Sequence, residues 1–78
     1  MIVKVYSTPI CPYCTMAKQF LKEHNIEFED INVAKDEKAR EEMVEKSGQL
    51  GVPVIEINNK VIIGFNVEAI KRELNLGD

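Results

Sequence analysis

The sequence has two cysteines, one histidine and no apolar run long enough to cross a membrane. A membrane-spanning helix needs about 20 consecutive apolar residues. Residues 1–6 are too few for the apolar region of a signal peptide. Two cysteines cannot provide the several bridges that stabilise small secreted domains. We therefore expect a cytoplasmic protein with no membrane partner.

Basic clusters are also missing, because 10 lysines and arginines are scattered among 13 acidic residues and the net charge is -3. This pattern argues against nucleic acid as a partner, since phosphate backbones require a basic surface. No repeat, linker or low-complexity segment divides the chain. At 78 residues with 45% apolar content, it can form one globular domain over residues 1–78. A monomer is the default expectation, because no long exposed apolar stripe stands out.

The first part of the chain changes from a strand pattern to a helix pattern and back. Residues 2–6 are mostly β-branched or aromatic and end at the turn residues 7–9, which predicts a buried strand. Residues 12–24 predict a helix whose apolar face carries Met16 with Phe20 and Ala17 with Leu21. Asn25 can close this helix in a left-handed conformation. Residues 27–33 alternate less regularly and predict a second strand.

A highly charged helix is predicted for residues 36–46. Opposite charges stand four positions apart in three pairs, which are Asp36/Arg40, Lys38/Glu42 and Glu42/Lys46. The same segment has a narrow apolar stripe, formed by Ala39, Met43 and Val44. We interpret the charged side chains as a solvated face.

The last third predicts a hairpin and a helix. Residues 54–57 and 60–63 are strand-like, and the two asparagines at 58–59 tolerate the positive φ angles of a tight turn. Asn66 can cap a last helix and Gly77 can stop it; its apolar face carries Val67, Ile70 and Leu74. The predicted order is βαβαββα, with a parallel first βαβ unit. We expect an α/β fold with a four-stranded mixed sheet flanked by three helices.

The segment Cys11-Pro12-Tyr13-Cys14 carries the candidate chemistry. Proline is favoured at the first position of a helix, which makes Cys11 the N-cap. A thiolate at an N-cap accepts backbone N–H groups and lies at the positive end of the helix dipole, so we expect Cys11 to be reactive. Cys14 is close enough to form a disulfide with it. The spacing predicts thiol–disulfide exchange, in which Cys11 attacks and Cys14 resolves the mixed disulfide.

Two other interpretations of the cysteine pair are open. The pair can stabilise the start of the helix, or it can contribute to a metal site shared between molecules. A closed zinc site needs four ligands, and only His24 remains as a further histidine or cysteine. We therefore expect no metal, and we interpret His24 as a structural or surface residue.

The combination of a strand, Cys11-Pro12-Tyr13-Cys14 at the start of a helix, and Gly48-Gln49-Leu50-Gly51-Val52-Pro53 before a hairpin strongly resembles the glutaredoxins over essentially the whole chain. The resemblance implies a thioredoxin fold and thiol–disulfide oxidoreductase activity. It implies glutathione as the reducing co-substrate, with electrons that come ultimately from NADPH. Disulfide-containing proteins and glutathione are the implied partners.

The resemblance also implies a substrate site. A proline at the position of Pro53 has a cis peptide bond in that family and lies beside the cysteines. The Val52 backbone can then bind an extended substrate as an added strand does. Tyr13 and Gln49 match positions that contact glutathione, and the first amides of the last helix can bind a carboxylate. The expected substrate-binding residues are Pro12, Tyr13, Gln49, Val52, Pro53, Gly64, Phe65, Asn66 and Val67.

Three positions differ from the glutathione site usual in that family. Thr8 stands in place of a lysine, Ile63 in place of a glycine and Val67 in place of an acidic residue. Gly64-Phe65 is similar instead to small redoxins that supply ribonucleotide reductase and are recharged by thioredoxin reductase, although those usually lack Pro-Tyr between the cysteines. The electron source, the protein substrate and the redox potential stay open. A third hypothesis is a dimer that carries an iron–sulfur cluster on Cys11 and glutathione.

Overall fold

The computed structural model describes residues 2–76, which form four strands and three helices in the predicted order. The elements are β1 (Val3–Ser7), α1 (Pro12–Glu23), β2 (Glu29–Asn32), α2 (Glu37–Ser47), β3 (Val54–Ile57), β4 (Lys60–Ile63) and α3 (Val67–Leu74). The expected stop signal at Gly77 lies outside the described residues. Within residues 2–76, no helix combines the length and the apolar character that a membrane span requires.

The four strands form one mixed sheet in the order β2-β1-β3-β4. Strand β1 is parallel to β2 and antiparallel to β3, and β4 is antiparallel to β3. The β1–α1–β2 crossover accounts for the parallel pair, because a helix must carry the chain back before β2 begins. Strand β1 is therefore central, and the loop that follows it delivers Cys11 to the end of the sheet.

The two faces of the sheet carry separate apolar cores, because alternate residues of a strand point to opposite sides. One core packs the sheet against α1 and α3 and comprises Val3, Val5, Ala17, Leu21, Ile55, Ile57, Ile62, Ile70 and Leu74. The second lies on the α2 side and comprises Tyr6, Val33, Met43 and Val54. Helix α1 is thus anchored along its length, so its N-terminus is a rigid support for the cysteines.

The asparagine and glycine turns form as the sequence pattern predicts. Asn58 and Asn59 have φ angles of 48° and 72°, which join β3 to β4 in two residues. Asn25 closes α1 with a φ of 58°. Asn75 ends α3 with the same left-handed conformation, so the helix stops there. Gly48 ends α2 with a φ of 77°.

Two details of the predicted helices are wrong. Met16 was expected on the apolar face of α1, but it is 47% exposed because the sheet contacts the Ala17 and Leu21 side of the helix instead. Of the three predicted charge pairs in α2, only Glu42 and Lys46 form an ion pair in the described chain, at 3.3 Å. The carboxylate of Asp36 accepts the Ala39 N–H as an N-cap instead.

The solvated face predicted for α2 is also incomplete. Lys46 Nζ lies 2.9 Å from Glu56 Oε1 on β3, and Glu42 accepts a 2.7 Å hydrogen bond from the Tyr6 hydroxyl. Strand β3 has no polar alternation because both of its faces are covered, and Glu56 is buried there with Lys46 as its partner. Part of the charged face of α2 therefore connects the helix to the sheet.

Candidate active site

Cys11 is the N-cap of α1, as predicted from Pro12. Its backbone is extended, with φ -105° and ψ 109°, and Pro12 begins the helix. The Cys14 N–H donates a hydrogen bond to Cys11 Sγ at 3.1 Å. Cys11 itself is half-buried, so its sulfur is accessible from one side. A thiolate formed at this sulfur is stabilised by that N–H group and by the helix dipole.

Cys14 occupies a different environment three residues further on. The residue is completely buried, and both cysteines are reduced. Burial, together with the hydrogen bond to Cys11, raises the pKa of the Cys14 thiol to about 11. The backbone of Thr8 and the charge of Lys18 act against this shift. Cys14 is therefore a protonated, shielded thiol at neutral pH, while Cys11 is only half-buried.

The loop before β3 forms the second wall of the site. The Val52–Pro53 peptide bond is cis, as the resemblance implied. The Cys11 thiol donates to the Val52 carbonyl oxygen at 3.8 Å, although the two residues are 41 positions apart. Gly64, with a φ of 79°, donates its N–H to the Pro53 carbonyl at 2.9 Å. The Cys11 thiol thus contacts the loop before β3, and that loop is bonded to Gly64 after β4.

The Val52 N–H has no hydrogen-bond partner among residues 2–76. Val52 is half-buried, whereas the next residue, Pro53, is fully buried in the sheet end. An unpaired backbone N–H in a loop is available to pair with an extended chain from another molecule. The binding role predicted for Val52 stays a prediction.

The other expected binding residues lie around this centre. Tyr13 is 62% exposed on the first turn of α1. No hydrogen bond within residues 2–76 joins Tyr13 or Gln49 to either cysteine, and the Gln49 backbone is bound to Ser47 instead. The Phe65 ring packs edge-on against Phe20, with ring centroids 6.0 Å apart. The Phe65 ring therefore lies against a part of α1 that is further along the helix than the cysteines.

The N-terminus of α3 is partly occupied by its own cap. The Asn66 side chain accepts the Ala69 N–H at 3.1 Å, which leaves the Val67 and Glu68 amides at the first turn without a partner in the described chain. Glu68 places a carboxylate in that same turn. The amides expected to bind an anion are therefore unpaired in the described chain. The Glu68 carboxylate in the same turn opposes the binding of an anion there.

The sequence interpretation missed a polar cluster on the other side of Cys14. Lys18 Nζ lies 3.1 Å from Asp30 Oδ2 and 3.4 Å from Ser7 Oγ, and the Ser7 hydroxyl donates to Asp30 Oδ1 at 3.0 Å. Lys18 follows Cys14 by four residues, so both lie on one side of α1. That spacing was visible in the sequence, but Ser7 was interpreted only as a turn residue after the first strand, whereas it is the last residue of β1.

Comparison with known proteins decides the family of the chain. The family model described as Glutaredoxin matches residues 3–62, which include both cysteines and the whole sheet except the last residue of β4. The chain belongs to the glutaredoxin family. This glutaredoxin is 52% identical to an uncharacterized glutaredoxin-like 8.6 kDa protein in a rubredoxin operon of Clostridium pasteurianum, over 91% of this chain and 95% of that protein. It is 36% identical to glutaredoxin 3 of Escherichia coli K12, over 80% of this chain and 75% of that protein.

Solved structures confirm the thioredoxin fold of this glutaredoxin. The crystal structure of the thioredoxin-like protein BC3987 superposes with a TM-score of 0.86 and 32% identity, over 91% of this chain and 97% of that one. The glutaredoxin-like protein NrdH-redoxin from Escherichia coli, which has a thioredoxin-like activity profile, superposes with a TM-score of 0.82 and 26% identity. The match covers 92% of this chain and 93% of that one. This glutaredoxin is thus a member of a family of thiol oxidoreductases.

Proposed function

We propose that the protein reduces mixed disulfides of glutathione and disulfides of proteins, with Cys11 as the nucleophile and Cys14 as the resolving thiol. The observation that carries this proposal is the difference between the two sulfurs. Cys11 Sγ accepts the Cys14 N–H at 3.1 Å and belongs to a half-buried residue, whereas Cys14 is fully buried with a raised pKa. Cys11 is accessible to a substrate disulfide, whereas the buried Cys14 thiol can react only with Cys11.

The first exchange step takes place at Cys11. Its thiolate attacks one sulfur of the substrate disulfide, a bond forms between Cys11 and that sulfur, and the second substrate sulfur leaves with the electron pair. The departing thiolate takes a proton from water. The product is a mixed disulfide between Cys11 and the substrate, and the N–H of Cys14 stabilises the attacking sulfur before the bond forms.

The second step has two routes. In the dithiol route, the Cys14 sulfur attacks Cys11, the Cys11–Cys14 disulfide forms and the reduced substrate leaves. In the monothiol route, a glutathione thiolate attacks the sulfur that is bound to Cys11, a disulfide forms between those two sulfurs, and Cys11 leaves as the thiolate. Cys14 takes no part in this route. Both routes need a supply of reduced thiols, which is the condition of the cytoplasm.

Substrate binding uses the backbone wall of the site. An extended substrate that pairs with the free Val52 N–H places its cysteine next to Cys11, because the Val52 carbonyl lies 3.8 Å from Cys11 Sγ. Pro12, Pro53, Gly64 and Phe65 shape the surface on either side, and Tyr13 is exposed where a substrate passes. Gln49, Asn66 and Val67 are the proposed contacts for the remaining peptide or carboxylate groups of glutathione.

The test is the reduction of a small glutathione mixed disulfide by reduced glutathione, with glutathione reductase and NADPH. We expect turnover that is lost in Cys11→Ser. Thr8→Lys, which restores the usual lysine, should lower KM for glutathione without changing kcat, because an added cation attracts its carboxylates. Turnover that persists without Cys11 contradicts the proposed mechanism.

A second candidate is a redoxin that thioredoxin reductase recharges. The absence of the usual lysine at Thr8 and of the usual acidic residue at Val67 favours it, because both belong to the glutathione site of the family. Gly64-Phe65 and the structural likeness to NrdH-redoxin point in the same direction. Ribonucleotide reductase is the corresponding acceptor. If thioredoxin reductase and NADPH reduce the Cys11–Cys14 disulfide while glutathione does not, the second candidate replaces the first.

A further inference from the structure

The polar cluster of Ser7, Lys18 and Asp30 has no part in the steps above, and we name it the Lys18 cluster. Ser7 is 2% exposed, and its position on β1 continues the alternation of Val3 and Val5, which face α1. Among residues 2–76, Ser7 is the only buried polar side chain on that face of the sheet. A buried hydroxyl at a core position needs a hydrogen-bonding partner. Here its partners are a lysine and an aspartate.

The Lys18 cluster borders the buried Cys14 thiol from two elements. On α1, Lys18 lies one turn beyond Cys14, and residues four apart are neighbours on a helix surface. On the β1 side, Ser7 is followed by Thr8, whose backbone hydrogen-bonds the Cys14 thiol. The titratable groups around Cys14 are therefore Cys11 on its own turn, Lys18 on the next turn and Asp30 on β2.

Two clefts open the Lys18 cluster to solvent while Cys14 stays buried. One has a volume of about 370 Å³ and lies between α1 and β2, where Lys18, Lys22 and Asp30 line it. The other has a volume of about 260 Å³ and reaches Ser7 and Thr8. Lys18 and Asp30 line both clefts. Since each is far larger than the roughly 30 Å³ that one water occupies in the liquid, a proton acceptor can reach the cluster.

In the dithiol route, the buried Cys14 thiol must lose its proton, and the Lys18 cluster can favour this loss. Cys14 attacks as a thiolate, yet burial disfavours the charged form of a thiol. A positive charge nearby stabilises that form, and an ammonium on a flexible side chain must be held in place to do so. Ser7 and Asp30 hold the Lys18 ammonium, whose side chain is 23% exposed.

We propose that Lys18, oriented by Ser7 and Asp30, is a positioning residue that stabilises the thiolate of Cys14 during the second exchange step. This inference rests on the proposed function. Cys14 gives its proton to water, and its sulfur bonds to Cys11 Sγ. The bond between Cys11 and the substrate sulfur breaks, and the substrate sulfur leaves with the electron pair and takes a proton from water. The cysteine pair is oxidised and the substrate is reduced to its thiol.

The test separates the two exchange steps in one experiment. An excess of reduced protein is mixed with the chromogenic disulfide dithiobis(nitrobenzoate). Attack by Cys11 releases the first nitrothiobenzoate, and attack by Cys14 releases the second. Both rates are followed by stopped flow across a range of pH. Cys14→Ser must lack a second phase whose rate is independent of protein concentration, because only attack within one molecule has that property.

We expect Lys18→Met to slow the second phase about tenfold at neutral pH and to move its pH midpoint up by about one unit, since one nearby charge shifts a pKa by that order. The first phase should change by less than about twofold, because Cys11 reacts before the cluster is needed. Lys18→Arg should restore the second phase, because it keeps the charge. Lys22→Met is the matched control, since Lys22 lines the larger cleft but contacts neither Ser7 nor Asp30.

Other outcomes contradict either the role of Lys18 or the proposed function on which it rests. A second phase that is unchanged in Lys18→Met overturns the role of Lys18 while the first phase still supports Cys11 as nucleophile. If Lys18→Arg is as slow as Lys18→Met, the lysine acts through packing and the electrostatic role is wrong. Lys18→Gln repeats the measurement with a polar side chain if Lys18→Met does not fold. A wild-type protein with no first phase contradicts the proposed function itself.

Discussion

Cys11 and Cys14 differ in one physical respect that decides their proposed roles, namely access. Cys11 ends a loop and is half-buried, whereas Cys14 is turned into the protein on the same helical turn. The hydrogen bond from the Cys14 N–H to Cys11 Sγ needs the helix to be formed, so the geometry of the nucleophile depends on α1. The two residues are both cysteines, so the difference in their proposed roles comes from their positions on α1.

The two serine variants should separate the roles of the cysteines. Cys11→Ser should lower the turnover of every disulfide by at least about a hundredfold, because the attacking thiolate is lost. Cys14→Ser should keep reduction of glutathione mixed disulfides and lose reduction of protein disulfides. Steady-state assays with both substrates measure the difference. Equal losses in the two variants would show that access does not assign the roles.

The buried thiol of Cys14 should make the stability of the reduced protein depend on pH. Its pKa is raised from 9.0 to about 11 in the folded state. Below pH 9 the thiol is protonated in both states, so its contribution to stability is constant. Between pH 9 and 11 the unfolded chain releases the proton and the folded chain retains it, so the free energy of unfolding falls as pH rises.

Urea unfolding at about pH 8 and about pH 10.5 should show a loss of about 2 kcal/mol from this thiol. Lysines and tyrosines also titrate in this range, so the relevant quantity is the difference between the wild type and Cys14→Ser. That variant should lose less stability over the same interval. The same pH dependence in both proteins would mean that Cys14 is not the group responsible.

At the scale of elements, α2 is joined to the sheet by both apolar and charged contacts. Met43 is fully buried against the sheet, while Lys46 contacts Glu56, Glu42 and the Tyr6 hydroxyl. Burial and the Glu42 carboxylate raise the pKa of Tyr6 to about 12, and the Glu56 carboxylate raises the pKa of Lys46. The charged state of Lys46 is thus favoured by the elements on both sides.

Removal of the Lys46 charge should destabilise this connection. The Glu56 side chain is 10% exposed, so Lys46→Met leaves a carboxylate that is both buried and without its cation. We expect a loss of about 2 kcal/mol, measured by urea unfolding. The matched control is Lys38→Met on the exposed side of α2, which should change stability by less than about 0.5 kcal/mol.

A second variant identifies the cause of that loss. Lys46→Met combined with Glu56→Gln should recover part of the stability, because the uncompensated charge is removed together with the cation. If the double variant is as unstable as Lys46→Met, packing of the lysine stem explains the effect. Equal stability of the Lys46→Met and Lys38→Met variants would show that the network contributes nothing.

At the scale of the whole molecule, the net charge of -3 should influence which small disulfides react fastest. A negatively charged protein attracts cations and repels anions, and salt screens both effects. The rate with cystamine, a dication, should therefore fall as salt rises, and the rate with anionic glutathione disulfide should rise.

The rate with cystamine divided by the rate with glutathione disulfide should fall about twofold or more between about 20 and 200 mM salt. Single-turnover reactions with Cys14→Ser measure it directly, because only Cys11 then reacts. The uncharged disulfide of mercaptoethanol is the control and should show no salt dependence. A ratio that does not change with salt would mean that local charges at Cys11 outweigh the overall charge.

Much of the fold follows from patterns within a few residues. The N-cap at Cys11, the asparagine turn at 58–59 and the cap at Asn66 all formed as predicted, because each depends on backbone conformations set by adjacent residues. The exposure of Met16 could not be predicted from such a local pattern. Periodicity shows that a helix has an apolar face but not how far the sheet extends beneath it.

The local sequence Cys11-Pro12-Tyr13-Cys14 determined the position of the proposed nucleophile, its neighbouring thiol and the start of the helix that carries them. The tertiary structure alone decided that the Val52 carbonyl lies 3.8 Å from Cys11, that Lys18 meets Ser7 and Asp30, and that Lys46 meets Glu56. These contacts join residues on separate elements. They depend on strand order and helix packing, which bring distant parts of the chain together through the burial of apolar surface.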